Sequence, residues 1–238
     1  GHHDHRDASP SGAYDEMYNL YFYREAHEPS LATSRPMPWY EFLAHTELCR
    51  MSFDATALSE VEGVGVLARI VENLKLPGIL KKPMDDLAAL IYDVCDLMHR
   101  SEYHNFSHVV DVTQCLYVTL VATRLVSHVA PVELAAAVLA ALCHDLDHPG
   151  YSNAYMNNEA SEISKRYRNE SPLERHSVAC FRKLCAKYNL LEHLAEPDAR
   201  RVDAVVERLI LRTDMAHHAA LMKTVAERLD AAEARAAA

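Results

Sequence analysis

Glycine is scarce, 6 of 238 residues, while alanine is abundant, a balance that leans the chain towards helix. No segment alternates apolar and polar residues with period 2, and no Asn-Gly pair marks a hairpin. No internal repeat is found. No apolar run reaches the roughly 20 residues of a membrane-spanning helix, and the first residues show no signal-peptide core. The six cysteines (49, 95, 115, 143, 180 and 185) form no CxxC pair and no dense framework, which points to reduced, intracellular thiols and a cytoplasmic setting. Positive charge is in short supply. With 24 Lys+Arg against 34 Asp+Glu the formal net charge is -10. That argues against a nucleic-acid backbone or an anionic membrane as a partner. An acidic protein acting on an anion must create its attraction locally, and bound divalent cations are the usual means.

The length suits one domain or a little more, and a composition that is 50% hydrophobic and 24% charged is that of a globular chain. Residues 1–38 read as a polar, partly disordered leader, broken by Pro10, Pro29 and Pro36, with a Tyr/Phe cluster at 14–23. His2, His3 and His5 lie in this tail and are read as a disordered end rather than a metal site. Helical periodicity takes over from Trp39. Asp85 and Asp86 open a segment carrying Leu87, Leu90, Ile91, Val94 and Leu97 at i, i+3, i+4, i+7 spacing. A second helix is expected from about Ser107 to Val126. A third should run from Pro131 to Cys143, apolar all round and therefore buried. Further helices are expected over 154–167, with Asn153 as cap, and from a capping box at Ser171-Pro172-Leu173-Glu174 to about Tyr188. Pro197-Asp198 opens another, Thr213-Asp214 interrupts it, and a last helix reaches the alanine-rich end. The fold class is all-α.

Residues 144–148 read His-Asp-Leu-Asp-His, directly behind the buried apolar helix. Burying such charge costs several kcal/mol per carboxylate unless something pairs with it, and a divalent metal does so. Pro149 and Gly150 then turn the chain. A second cluster, Tyr103-His104-Asn105-Phe106-Ser107-His108, puts two histidines four apart on one helical face. Asn105 stands where a zinc protease of HExxH type would need its glutamate base, so that class is set aside. Taken singly, these features have plainer meanings. A histidine pair four apart is often incidental, Glu174 reads as a capping-box residue, and His176, His193, His217 and His218 read as surface or packing side chains.

Together, HDLDHPGYSN at 144–153, YHNFSH at 103–108, SPLERH at 171–176 and RTDMAHH at 212–218 resemble the ordered motifs of class I cyclic-nucleotide phosphodiesterases. The wording HDLDHPGY and SPLE is most similar to the ninth mammalian family, which prefers cGMP. The resemblance covers about residues 40–228. It implies a compact multi-helix catalytic fold with an HD-type two-metal centre. By motif match, His108, His144 and Asp145 would bind zinc, and Asp145 would bridge to a second ion, magnesium or manganese. His148, Glu174 and Thr213 would hold metal-bound waters, and Tyr103, Asn153 and Met215 would line the pocket. His104 would protonate the leaving oxygen as a two-metal-activated hydroxide hydrolyses a 3′,5′-cyclic nucleotide, cGMP and/or cAMP, to the 5′-monophosphate.

Two departures stand out. Ser177 replaces a usual histidine, and Arg168-Asn169 replaces a usual Asn-Asp. The family's fourth zinc ligand, purine-binding glutamine and aromatic clamp are not identifiable after Ala226. Residues 39–238 are therefore expected to be the N-terminal two-thirds of a catalytic domain, incomplete at the C-terminus. Apolar surface exposed by the missing part would favour self-association. The competing readings are an inactive relative serving as a metal-binding or regulatory module, and another phosphate-ester hydrolase of the wider HD superfamily.

Overall fold

The computed structural model describes residues 48–236, and among them every regular element is a helix. The leader, its histidines and its aromatic cluster lie outside the described residues. A short 3-10 turn at Ala55–Ala57 precedes α1 (Glu60–Asn73), α2 (Leu76–Leu80), α3 (Met84–Leu97) and α4 (Phe106–Ala122). These are followed by α5 (Pro131–Cys143), α6 (Asn153–Asn158), α7 (Glu162–Arg166) and α8 (Pro172–Lys187). Then come α9 (Glu196–Leu211) and α10 (His218–Ala236), separated by a 3-10 turn at Met215–His217.

The core is built round α5. Its residues Leu134, Ala135, Ala136, Val138, Leu139, Ala140, Ala141, Leu142 and Cys143 are all buried, as its unbroken apolar sequence requires. It packs most extensively on α9 and also on α4, α2, α8 and α3. Each fully buried Leu or Val there contributes roughly 1.5–3 kcal/mol relative to exposure. On the other side, α1 packs on α3 and α4. The approach is close at Gly63, where a Cβ would sit 3.0 Å from Phe106 Cε1 and 3.1 Å from Val110 Cγ2. Polar ties fix the register between layers. The Gln114 side chain donates to the carbonyls of Leu48 and Arg50 at 2.8 and 2.9 Å. Asp93 receives the Tyr188 hydroxyl at 2.6 Å and the Lys187 ammonium at 2.7 Å.

Three local expectations are corrected. The second helix stops at Ala122, because Arg124 takes a left-handed conformation (φ 55) and the chain re-enters as a 3-10 turn at Leu125–Ser127. The stretch 154–167 is two helices. Ala160 (φ 47) breaks it, and Ser161 starts the second by accepting the Ser164 amide. The first is capped by Ser152, one residue earlier than Asn153. The Ser171 capping box does not form: Ser171 is left-handed (φ 42) and its hydroxyl donates to Asp214 Oδ2 at 2.7 Å. Pro at the first helical position carries the start of α8 instead.

Candidate metal centre

The centre lies where the N-terminus of α4 meets the turn that follows α5. Asn105 caps α4, its Oδ1 accepting the His108 amide at 3.1 Å while its own amide donates to the carbonyls of Ser101 and Glu102. The residue that disqualified an HExxH reading is thus the one that places His108 on the first turn. At the other element, His144 extends α5 in helical conformation, and its Nδ1 lies 2.9 Å from the Ala141 carbonyl. A carbonyl can only accept, so Nδ1 carries the proton: the neutral ring then offers the Nε2 lone pair to an ion, and the protonated ring offers Nε2–H to Asp145.

Three donor atoms then converge. His108 Nε2 and His144 Nε2 are 3.2 Å apart. Asp145 Oδ2 lies 3.4 Å from His108 Nε2 and 3.2 Å from His144 Nε2. A tetrahedral ion with bonds of about 2.0–2.1 Å has ligand–ligand edges of about 3.3–3.4 Å. The triangle fits such an ion. Its side chains are largely buried, at 15%, 8% and 13% exposure for His108, His144 and Asp145. Burial works to raise the Asp145 pKa, but the hydrogen bonds from His108 and His144 overcome it and hold the carboxyl far below the usual carboxylate range. Burial likewise works against the His144 cation, yet the bond and charge of Asp145 raise that pKa overall.

Around the triangle stand two more imidazoles. The His104 ring stacks on His148, centroids 3.8 Å apart and planes 22° apart. Burial pushes the His148 pKa down to about 4, outweighing the pull of Asp145. Burial also lowers that of His104, with Asp145 opposing and His108 and His144 adding to the fall. Gly150 (φ 83) makes the turn behind His148 and donates its amide to His148 Nδ1 at 3.1 Å.

Asn153 and Glu174 meet beside the centre. The Asn153 amide donates to Glu174 Oε2 at 2.8 Å, and its Oδ1 accepts the Leu173 amide at 3.1 Å. Burial raises the Glu174 pKa, the Asn153 bond lowers it, and the nearby charges of Asp214 and Asp145 raise it again. Thr213, in the turn just past α9, directs its hydroxyl to the Ile210 carbonyl at 2.8 Å. Tyr103 packs its ring on His108, centroids 4.6 Å apart, while remaining 65% exposed, and Met215 is 73% exposed.

Local reading missed a second polar cluster below the first. Asp147 accepts from His99 Nε2 at 2.7 Å and from His176 Nε2 at 2.8 Å. His176 is not a surface side chain; it is 1% exposed. Its four-residue spacing to Cys180, whose thiol lies 3.7 Å away, was the available signal, but nothing local links either to Asp147.

Comparison with known proteins decides the family. The sequence profile of 3′5′-cyclic nucleotide phosphodiesterases matches residues 103–237, more than half of the chain and a span that includes the whole candidate centre. The chain belongs to this phosphodiesterase family. It is 34% identical over 169 residues to the 3′,5′-cyclic-nucleotide phosphodiesterase regA of Dictyostelium discoideum, covering 70% of this chain and 21% of that protein. Against the human high affinity cGMP-specific 3′,5′-cyclic phosphodiesterase 9A it is 29% identical over 207 residues, covering 84% of this chain and 35% of the relative. The crystal structure of the phosphodiesterase domain of Salpingoeca rosetta rhodopsin phosphodiesterase superposes with a TM-score of 0.74 at 31% identity, covering 80% of this chain and 59% of that one. The chain therefore spans about a fifth to a third of these curated relatives and about three-fifths of that solved domain. Among the described residues no helix is long and apolar enough to cross a membrane.

Proposed function

We propose that this chain carries the metal-binding part of a catalytic domain that hydrolyses a 3′,5′-cyclic nucleotide, cGMP and/or cAMP, to the nucleoside 5′-monophosphate. The observation that carries the reading is the triangle of His108, His144 and Asp145, with edges of 3.2–3.4 Å. Two imidazoles and one carboxylate suit zinc, and a second ion, magnesium or manganese, would share Asp145. When bound, such ions supply Lewis acidity towards the phosphate oxygens and an activated water.

The chain's own residues do the rest. His104, beside the triangle, donates a proton to the departing 3′-oxygen. Burial favours its neutral ring, and an approaching phosphate anion works the other way by favouring the imidazolium. His148, held neutral by burial, packs its ring on His104 and limits where that ring can point. With Glu174 and Thr213 it would hold water, while Tyr103, Asn153 and Met215 would contact the nucleotide. Substrate choice follows the relatives, which include proteins named for cGMP and one named for cAMP. The thiols of Cys143 and Cys180, both buried, fit work in a reducing compartment such as the cytoplasm.

A second reading, a metal-binding module without turnover, is favoured by the exposure of Tyr103 and Met215 (65% and 73%), which leaves the nucleotide little enclosure from those side chains. Assaying cGMP and cAMP hydrolysis with added zinc and magnesium separates the two. Formation of 5′-monophosphate that is lost in Asp145→Ala supports the enzyme. Tight zinc binding with no product supports the module.

A further inference from the structure

We propose that His99 and His176 clamp Asp147, and that this clamp positions the 144–148 turn, with Asp145 and His148 on it, for binding the ion. The role towards the ion rests on reading His108, His144 and Asp145 as ligands; the grip on the turn does not.

The turn needs holding. Asp147 adopts a left-handed conformation (φ 58), which aspartate tolerates better than most residues but does not prefer. It sits two residues after Asp145 and one before His148, so its backbone direction sets where both side chains point. Its carboxylate, 8% exposed as a residue, is gripped from two elements distant in sequence. His99, just beyond the end of α3, donates to Oδ1 at 2.7 Å, and His176 on α8 donates to Oδ2 at 2.8 Å. The next residue on α8 adds a third hold: Ser177 Oγ donates to the Leu146 carbonyl at 3.1 Å. Ser177 stands where the family resemblance led us to expect histidine, and here it ties the same turn.

The distances distinguish this cluster from the ion-binding triangle. Asp147, His176 and Cys180 could also be read as three metal donors. In the triangle every edge is 3.2–3.4 Å, the separation of two ligands across an ion. Between Asp147 and His176 the separation is 2.8 Å, a shared proton rather than a shared ion. Cys180 is 3.7 Å from His176 Nε2 and buried, which pushes its thiol pKa up and keeps the proton on sulfur. His99 and His176 are therefore positioning residues.

The test uses the whole chain with His99→Ala and His99→Gln. The His99 side chain is 27% exposed, so its loss leaves the core packed, and glutamine can still donate to Asp147. Two readouts are taken: amide hydrogen exchange at Leu146 and His148 in metal-free protein, and zinc affinity by competition with a chelator. His99→Ala should speed exchange at those two amides at least fivefold while Val109 and Val110 on α4 are unchanged, and weaken zinc about tenfold, as loss of an outer-shell partner commonly does. His99→Gln should restore both. Unchanged exchange in His99→Ala, or no rescue by glutamine, overturns the proposal. So does a zinc equivalent that vanishes in Cys180→Ala, which would make the cluster an ion site. If wild-type protein binds no zinc, the ligand reading of the triangle fails, and the exchange measurement still decides the clamp.

Discussion

His104 lies face to face with His148, ring centroids 3.8 Å apart, although the two residues come from different segments and neither belongs to the triangle of His108, His144 and Asp145. The stack holds one imidazole at the edge of the site with its orientation fixed by the other. If His104 delivers the proton to the leaving oxygen, removing it should cost the chemical step and little else. His104→Ala is expected to lower kcat by roughly 100-fold or more while KM changes less than threefold. Zinc content should stay at the wild-type level. Steady-state kinetics with metal analysis on the same preparation checks both. Equal damage to KM and kcat would remove His104 from the proton-transfer role.

The triangle makes a prediction about stability as well as activity. A ligand that binds the folded chain alone stabilises it by about 2.7 kcal/mol when present at about 100 times its Kd. For a chain of this size that corresponds to a rise in Tm of roughly 5–10 °C. Zinc should produce this rise in metal-stripped wild-type protein. His108→Ala, His144→Ala and Asp145→Ala should each abolish most of it, because each deletes one of three donors. Differential scanning calorimetry with and without zinc is the measurement. A rise of equal size in all three variants would place the ion elsewhere.

What was readable in the sequence, and what was not, follows from the range of the interactions. The limits of α5 were legible because Pro131 suits a first helical turn and an unbroken apolar run can only be buried. The sequence also marked HDLDH and YHNFSH as the places to look, since charge behind a greasy helix requires a partner. It could not show that Asp147 spends its carboxylate on His99 and His176, respectively 48 and 29 residues away. Nor could it show that the Ser171 hydroxyl turns to Asp214 instead of capping its own helix. Asn153 is the same lesson in reverse. A good local cap was available, but Ser152 took the cap and freed Asn153 to join α6 to Glu174 on α8.

Gly63 links the packing of the bundle to the site. A β-carbon there would press on Phe106, the first residue of α4, two positions before His108. Alanine regains about 1 kcal/mol of helix propensity, which offsets a small shift of the ring, so Gly63→Ala should be close to neutral. Valine adds two further carbons with no such compensation and should cost about 2–3 kcal/mol. Because the displaced ring starts α4, Gly63→Val should also weaken zinc binding. Urea denaturation and chelator competition on both variants test this. A Gly63→Val protein with wild-type stability would mean that α1 and α4 are less closely packed than Gly63 implies.

Acid should destabilise the metal-free protein through His148. Burial depresses its pKa to about 4 in the folded chain, while an unfolded chain restores about 6.5. Between those values the unfolded state binds the extra proton, so the His148 contribution is lost as pH falls below about 6.5 and is gone by about pH 4. Below that the depressed Asp145 carboxyl continues the loss. The gap corresponds to about 3 kcal/mol at full development. His148→Asn has nothing to titrate in this window and can still accept the Gly150 amide through its side-chain oxygen. Its Tm, measured on metal-stripped protein, should fall less than that of wild type between pH 7.5 and 4.5, so the two curves converge or cross on acidification. Proton resonances of the His148 ring should titrate with a midpoint near 4. Parallel loss of Tm in the two proteins, or a midpoint near 6.5, would mean that this imidazole is open to water and does not brace His104 from a dry site.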